Sequence, residues 1–212
     1  MSHDPTPTPI QVAPPGDIEE TARAELYGLL ARLWLAPPDA GLLAQFRVAV
    51  TEAPEPGGHL EAPWQDLVAA MRATTAAEAA AEFDALFLGV GKPEIFVFGS
   101  FHLSGVLNDR PLAQLRTDLT ALGLGRDEAR METEDHVSYV FEVMRYLIAG
   151  DDAGTCNLEQ QRRFFRAHVQ TWVDRLCEAV QRHPRARLWA ATAAFTHAFV
   201  DVETQGFDLL EA

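Results

Sequence analysis

Cysteine is scarce: the 212-residue chain has two, Cys156 and Cys177. Two do not make a disulfide framework, and neither has a neighbouring ligand set that would suggest a zinc site. Basic charge is also short. Seventeen Lys and Arg stand against 31 Asp and Glu, a net charge of −14. Nucleic acid and anionic membrane surfaces are therefore poor partners, and a basic peptide or protein segment is a better one. No apolar run approaches the ~20 residues that span a bilayer. The N-terminus lacks the basic region and apolar core of a secretory signal. A cytoplasmic protein with no membrane insertion is expected.

Several motifs are missing as well. There is no glycine-rich phosphate loop: Gly89-Val-Gly91-Lys92 is too short and no strand precedes it. No His-Glu-x-x-His zinc helix, Gly-x-Ser-x-Gly elbow or Cys-x-x-Cys pair occurs. No nucleophile lies beside a base in the local sequence, so no enzyme, resident cofactor or metal is expected.

Hydrophobic residues make up 48% of the chain, which excludes global disorder. Residues 1–16 are proline-rich and read as a disordered tail; residues 17–212 read as one all-α domain. The expected helices cover about 17–35, 40–50, 64–72, 75–87, 111–122, 133–149, 158–181 and 185–203. Asp17, Asp39, Thr75 and Asn157 open four of them as caps, and Pro37-Pro38, Gly89, Gly150 and Pro184 close others. Residues 51–63 hold three prolines and two glycines and read as a loop. Ile95–Phe98 has strand propensity but no partner run, so 89–107 reads as a loop with its aromatic residues pinned to the core. The turn at Gly123–Asp127 is a plausible hinge between helical halves, near 123–131. It could serve helix exchange, leaving monomer and domain-swapped homodimer both open.

The 133–149 helix holds the most unusual feature. Val137, Val140, Phe141, Met144, Leu147 and Ile148 recur at three- and four-residue steps, an apolar stripe. Thr133 is placed to cap it. Glu134 and Asp135 then sit in the first turn, where negative charge suits the helix dipole. His136 completes an acid–acid–imidazole cluster on a helix whose body is core. A solvated capping cluster is the plain reading; acid–base work or a ligand site is the other. Phe96, Phe98, Phe101 and His102 follow the Gly89–Gly91 turn and read as core filler before ligand surface. His168, four residues before Trp172, and His197, between Phe195 and Phe199, read as satisfied buried histidines.

Two segments give the chain a likeness. Glu82-Phe-Asp-Ala-Leu-Phe-Leu-Gly-Val-Gly91 and Glu132-Thr-Glu-Asp-His136, running into Phe141-Glu-Val-Met144, are similar to motifs of the TorD/DmsD/NarJ-type chaperones. Tyr27–Trp34, Phe164-Phe-x-x-His168 with Trp172, and the aromatic last helix add supporting matches. The resemblance spans about residues 18–205. Thr133 stands where the family usually has proline, and Pro93–Phe101 replaces a Pro-Pro-Tyr/Trp stretch. The resemblance implies an all-helical, non-catalytic chaperone that matures a molybdenum-cofactor oxidoreductase. Its ligand would be the client's twin-arginine signal peptide or the apo-enzyme, held so that cofactor is inserted and export is not premature. It also implies a peptide site at or near Asp135 and His136. Glu134 and Tyr139 lie beside them, and Phe96, Phe98 and Phe101, with Trp34, would supply an apolar wall. Two other readings remain open: a nucleotide- or small-molecule-binding regulator, and a metal-dependent hydrolase built on Glu132, Glu134, Asp135 and His136. The second lacks a ligand from any other helix.

Overall fold

The computed structural model describes residues 15–48, 58–89, 91–126 and 131–209, with side chains from residue 19. Among the described residues there are ten α-helices and no strand: α1 (Pro15–Leu35), α2 (Ala40–Val48), α3 (Glu61–Ala73), α4 (Ala76–Phe83), α5 (Gly99–Ser104), α6 (Arg110–Ala121), α7 (Val137–Ala149), α8 (Leu158–His168), α9 (Val173–Gln181) and α10 (Leu188–Leu209). The all-α class is as expected. Residues 1–14 of the expected tail lie outside the described residues, while Pro15 and Gly16 already belong to α1. Residues 127–130 of the expected 123–131 hinge also lie outside the described residues. No helix among the described residues is long and apolar enough to cross a membrane.

The apolar stripes decide the packing. α1 lies along α7, α8 packs on the far end of α7, and α10 packs against α9 and α3. These faces merge into one core around Tyr27, Trp34, Phe141, Phe165, Trp189 and Phe195, all buried. Trp34, expected as part of a binding wall, is a core residue. It is 0% exposed, its indole N–H donates to Thr196 Oγ1 at 3.1 Å, and it meets Phe87 edge-on. One charged group crosses this interior. Arg23 on α1 makes two 2.8 Å bonds to Glu203 on α10, and the Tyr27 hydroxyl donates to the same carboxylate at 3.0 Å. Pairing of this kind is what allows an acid to be buried.

Side-chain caps open several of the helices. Asp39 accepts from Leu42 N at 2.7 Å, Asn157 accepts from Gln160 N at 3.1 Å, and Thr75 with Glu78 forms a full capping box. The N-terminus of α10 is served from a distance: the Glu82 carboxylate accepts from the amides of Arg187, Leu188 and Trp189. Glu82 thus has a structural task, an anion at the positive end of a helix. After α4 the chain widens into a π-helical turn, Asp84–Leu88, closed by Gly89. That residue has φ +60°, and a Cβ there would lie 2.2 Å from Lys92 O, so only glycine fits.

Several boundaries differ from expectation. Helix α5 forms inside the loop expected over 89–107, and α1 starts at Pro15, so Asp17 lies within the helix rather than at its cap. Helix α3 starts at Glu61, inside the expected loop. The single helix expected over 158–181 is broken at Val169–Trp172. There the Trp172 indole N–H, rather than its backbone N–H, satisfies His168 O at 2.7 Å, freeing the chain to turn. The last helix passes through Gly206 to Leu209, because Phe207 is buried against Phe165 at a centroid distance of 5.1 Å. A further difference concerns α7, which begins at Val137 rather than 133.

Candidate functional site

The start of α7 is not a solvated cluster. Thr133 does not cap the helix; its hydroxyl donates to Asp135 Oδ1 at 2.7 Å. His136 is the cap, with Nδ1 accepting from Ser138 N at 3.2 Å. Asp135 and His136 are 3% and 5% exposed. The second Asp135 oxygen accepts from Ser100 N at 2.8 Å, at the start of α5. The backbones also pair: Gly99 N donates to Asp135 O at 2.8 Å and Val137 N to Val97 O at 2.9 Å. This makes one antiparallel bridge between Phe98 and His136. The extended Ile95–Phe98 segment therefore does have a partner, two residues long, and its backbone is satisfied without a sheet.

Asp135, His136, Ser100 and Gly99 form a clamp that locks the 97–100 segment to α7. Gly99 suits it: a Cβ there would stand 3.1 Å from the Trp172 indole, which would have to shift. Burial pushes the His136 imidazole down to about 4, against a smaller opposing effect from Asp135. The ring is neutral at pH 7 and does not titrate near neutrality. With Nδ1 accepting, its proton sits on Nε2.

The aromatic residues divide. Phe98 meets the His136 ring edge-on at 5.2 Å, and His136 lies 5.6 Å from Tyr139, giving a short ring series. Phe96 points the other way, as alternation along an extended segment requires. It packs on Phe101 at 4.3 Å, beside His102, whose Nε2 bonds Phe96 O at 2.7 Å.

An open groove lies next to the clamp. It is a groove of about 820 Å³ between the C-terminal half of α1, the end of α6 with the following turn, and the outer face of α7. Leu35, Leu119, Leu124 and Val143 give it an apolar floor, and Glu132, Glu134, Glu142, Tyr139 and Tyr146 line its walls with Arg32, Arg126 and Arg145. Glu134 is gripped by Arg116 through bonds of 2.8 to 3.1 Å. Burial pushes its carboxyl up, but the Arg116 hydrogen bonds and charge prevail and hold it below the usual carboxylate range. Glu142 pairs with Arg145 at 2.8 Å, and Arg32 with Asp39 at 3.0 Å.

Of the seven residues expected at a ligand site, Glu134 and Tyr139 line this groove. Asp135, His136 and Phe98 form the clamp behind them. Phe96 and Phe101 sit in the separate pair beside His102. Sequence reasoning missed Glu142, Val143 and Tyr146, although they stand three, four and seven residues after Tyr139 and so share its helix face. Leu35 and Leu119 could not have been found that way, because they come from other helices. The metal-hydrolase set is also dispersed. Asp135 and His136 are engaged in the clamp and Glu134 is paired with Arg116, and these residues with Glu132 form no convergent ligand cluster among the described residues.

Residues 54–178 match the family model described as nitrate reductase delta subunit. The chain is 26% identical to Chaperone protein TorD of Vibrio cholerae serotype O1 over 140 residues, covering 63% of this chain and 64% of that protein. It is 24% identical to Chaperone protein TorD of Aliivibrio fischeri over 200 residues, covering 86% of this chain and 93% of that one. The chain thus spans a little under two thirds of the length of the Vibrio cholerae relative.

Proposed function

The chain belongs to the nitrate reductase delta subunit family, and from that premise we propose that it is a non-catalytic, cytoplasmic maturation chaperone. Its client is a molybdenum-cofactor oxidoreductase, bound through its twin-arginine signal peptide or as the apo-enzyme. Binding assists cofactor insertion and prevents premature export. The likeness to proteins named as TorD chaperones supports this reading.

The observation that carries it is the groove. A signal peptide joins a pair of arginines to an apolar segment. The groove joins the carboxylates of Glu132, Glu134 and Glu142 to a floor of Leu35, Leu119, Leu124 and Val143. Carboxylates match the guanidinium fork in geometry and charge, and the net charge of −14 attracts a basic ligand from a distance. In this scheme Glu134 and Tyr139 contact the peptide, with Glu132 and Glu142 as the further carboxylates. Asp135, His136 and Phe98 act as positioning residues, fixing the start of α7 so that Glu134 and Tyr139 face the groove. Phe96 and Phe101, on the other side of the 95–98 segment, contribute to the fold of that segment rather than to the groove.

The test is titration of the protein with a labelled twin-arginine signal peptide and with the same peptide carrying two lysines. Saturable binding that weakens several-fold for the lysine peptide and at raised salt is expected. No saturable binding, together with thermal protection by a guanine nucleotide instead, would replace this reading with the nucleotide-binding one.

A further inference from the structure

A second group of titratable side chains stands apart from the groove. His197 and Asp201 are four residues apart on α10 and so share one face of the helix; Asp174 lies in the first turn of α9. His197 Nδ1 is 3.6 Å from Asp201 Oδ2, and His197 Nε2 is 4.0 Å from Asp174 Oδ1. One ligand atom from each of the three residues can be chosen so that all lie within 4.8 Å of one another. His59, in the turn before α3, brings a second imidazole: its Nε2 is 3.9 Å from Asp201 Oδ2. None of these separations is a hydrogen bond. The Asp174 Oδ1 atom is sealed from solvent and has no hydrogen-bond donor, an expensive condition for a carboxylate oxygen. Burial, with the nearby Asp201 and Glu178 charges, pushes the Asp174 carboxyl up despite His197.

We propose that Asp174, His197 and Asp201 form a binding site for a divalent transition cation of the zinc type, fastening α9 to α10. Imidazole with carboxylate oxygens is a donor set that such ions take readily. Two ligands one helical turn apart, completed by a third from another helix, is a recurring way to present it. A tetrahedral ion with bonds of about 2.0–2.1 Å holds its ligand atoms roughly 3.3 Å apart. The three side chains therefore need to close by on the order of 1 Å, which half-exposed side chains reach by rotation. A cation would satisfy Asp174 Oδ1 and relieve the repulsion between the two aspartates. His59 stands where it can serve as a further ligand.

The experiment uses the untagged full-length chain stripped of metal and titrated with Zn²⁺ against a chromophoric chelator. One equivalent bound is expected, with affinity at least about tenfold weaker in His197→Gln and in Asp201→Asn. His183→Gln, outside the cluster, should bind as wild type does. A rise in unfolding temperature on adding Zn²⁺ to wild type, absent in both cluster variants, is the second expected readout. Wild type failing to retain one equivalent would overturn the site. So would a cluster variant matching wild-type affinity, or His183→Gln losing as much as His197→Gln.

Discussion

Two histidine–aspartate groups in this molecule behave in opposite ways. At the start of α7, every identified polar atom of Asp135 and the Nδ1 of His136 has a partner from the chain itself, and both side chains are buried. At the α9–α10 contact, His197 and Asp201 are each 40% exposed, and Asp174 keeps a buried oxygen with no donor. The residue types are the same. What differs is whether the fold has already used their hydrogen-bonding capacity. A group that is both saturated and buried holds the structure in place and has little left for a ligand, whereas one that is unsaturated or faces an open groove can still bind. The neighbouring groove, lined by Glu132 and Tyr139 among others, opens beside the clamp.

The comparison can be broken most forcibly with acid. The His136 pKa is depressed from 6.5 to about 4 in the fold, so the unfolded chain binds a proton more readily. Stability is full above about pH 6.5 and is lost as pH falls toward 4, with His136 contributing on the order of 3 kcal/mol by the lower limit. His102 and His168 are depressed too, chiefly by burial, and act in the same direction. In His136→Asn, which keeps an acceptor at the cap, urea unfolding at pH 7 and pH 4.5 should show a smaller difference than in wild type. Asp135→Ala strands Ser100 N and the Thr133 hydroxyl. It should cost about 2–3 kcal/mol at pH 7 in the same assay. Gly99→Ala drives a methyl group into the Trp172 indole and should cost about 1–2 kcal/mol. Removing Glu132 and Glu142 together should change stability by no more than about 0.5 kcal/mol, because the Glu142–Arg145 pair is exposed.

Much of this was legible in the sequence where the cause is local. The caps at Asp39, Thr75 and Asn157 and the stop at Pro37-Pro38 were found because each acts within four residues of its signal. The apolar stripe of α7 was found because its period is helical. What escaped depends on distant partners. Nothing near Glu82 shows that it caps α10, and nothing near Ser100 shows that its amide meets Asp135, so the start of α7 was placed four residues early. Trp172 was read as continuing a helix because its indole bond to His168 O is invisible to propensity. At the ligand site, Glu134 and Tyr139 were found through the cluster they adjoin. The groove itself needed α1 and α6, which no motif links to α7. His197 was read as buried because it lies between two phenylalanines; it is half-exposed, since Phe195 and Phe199 face the core and His197 faces α9 and Asp201.

The most direct test of the central claim sets the groove against the clamp in one assay. The affinity of a labelled twin-arginine peptide is measured at pH 7 for wild type and for the Glu132→Ala/Glu142→Ala double variant, each with its urea unfolding midpoint. The account predicts saturable binding by wild type and binding about tenfold or more weaker in the double variant, with no change in midpoint. Equal affinity in the two proteins, or no saturable binding by either, would contradict it.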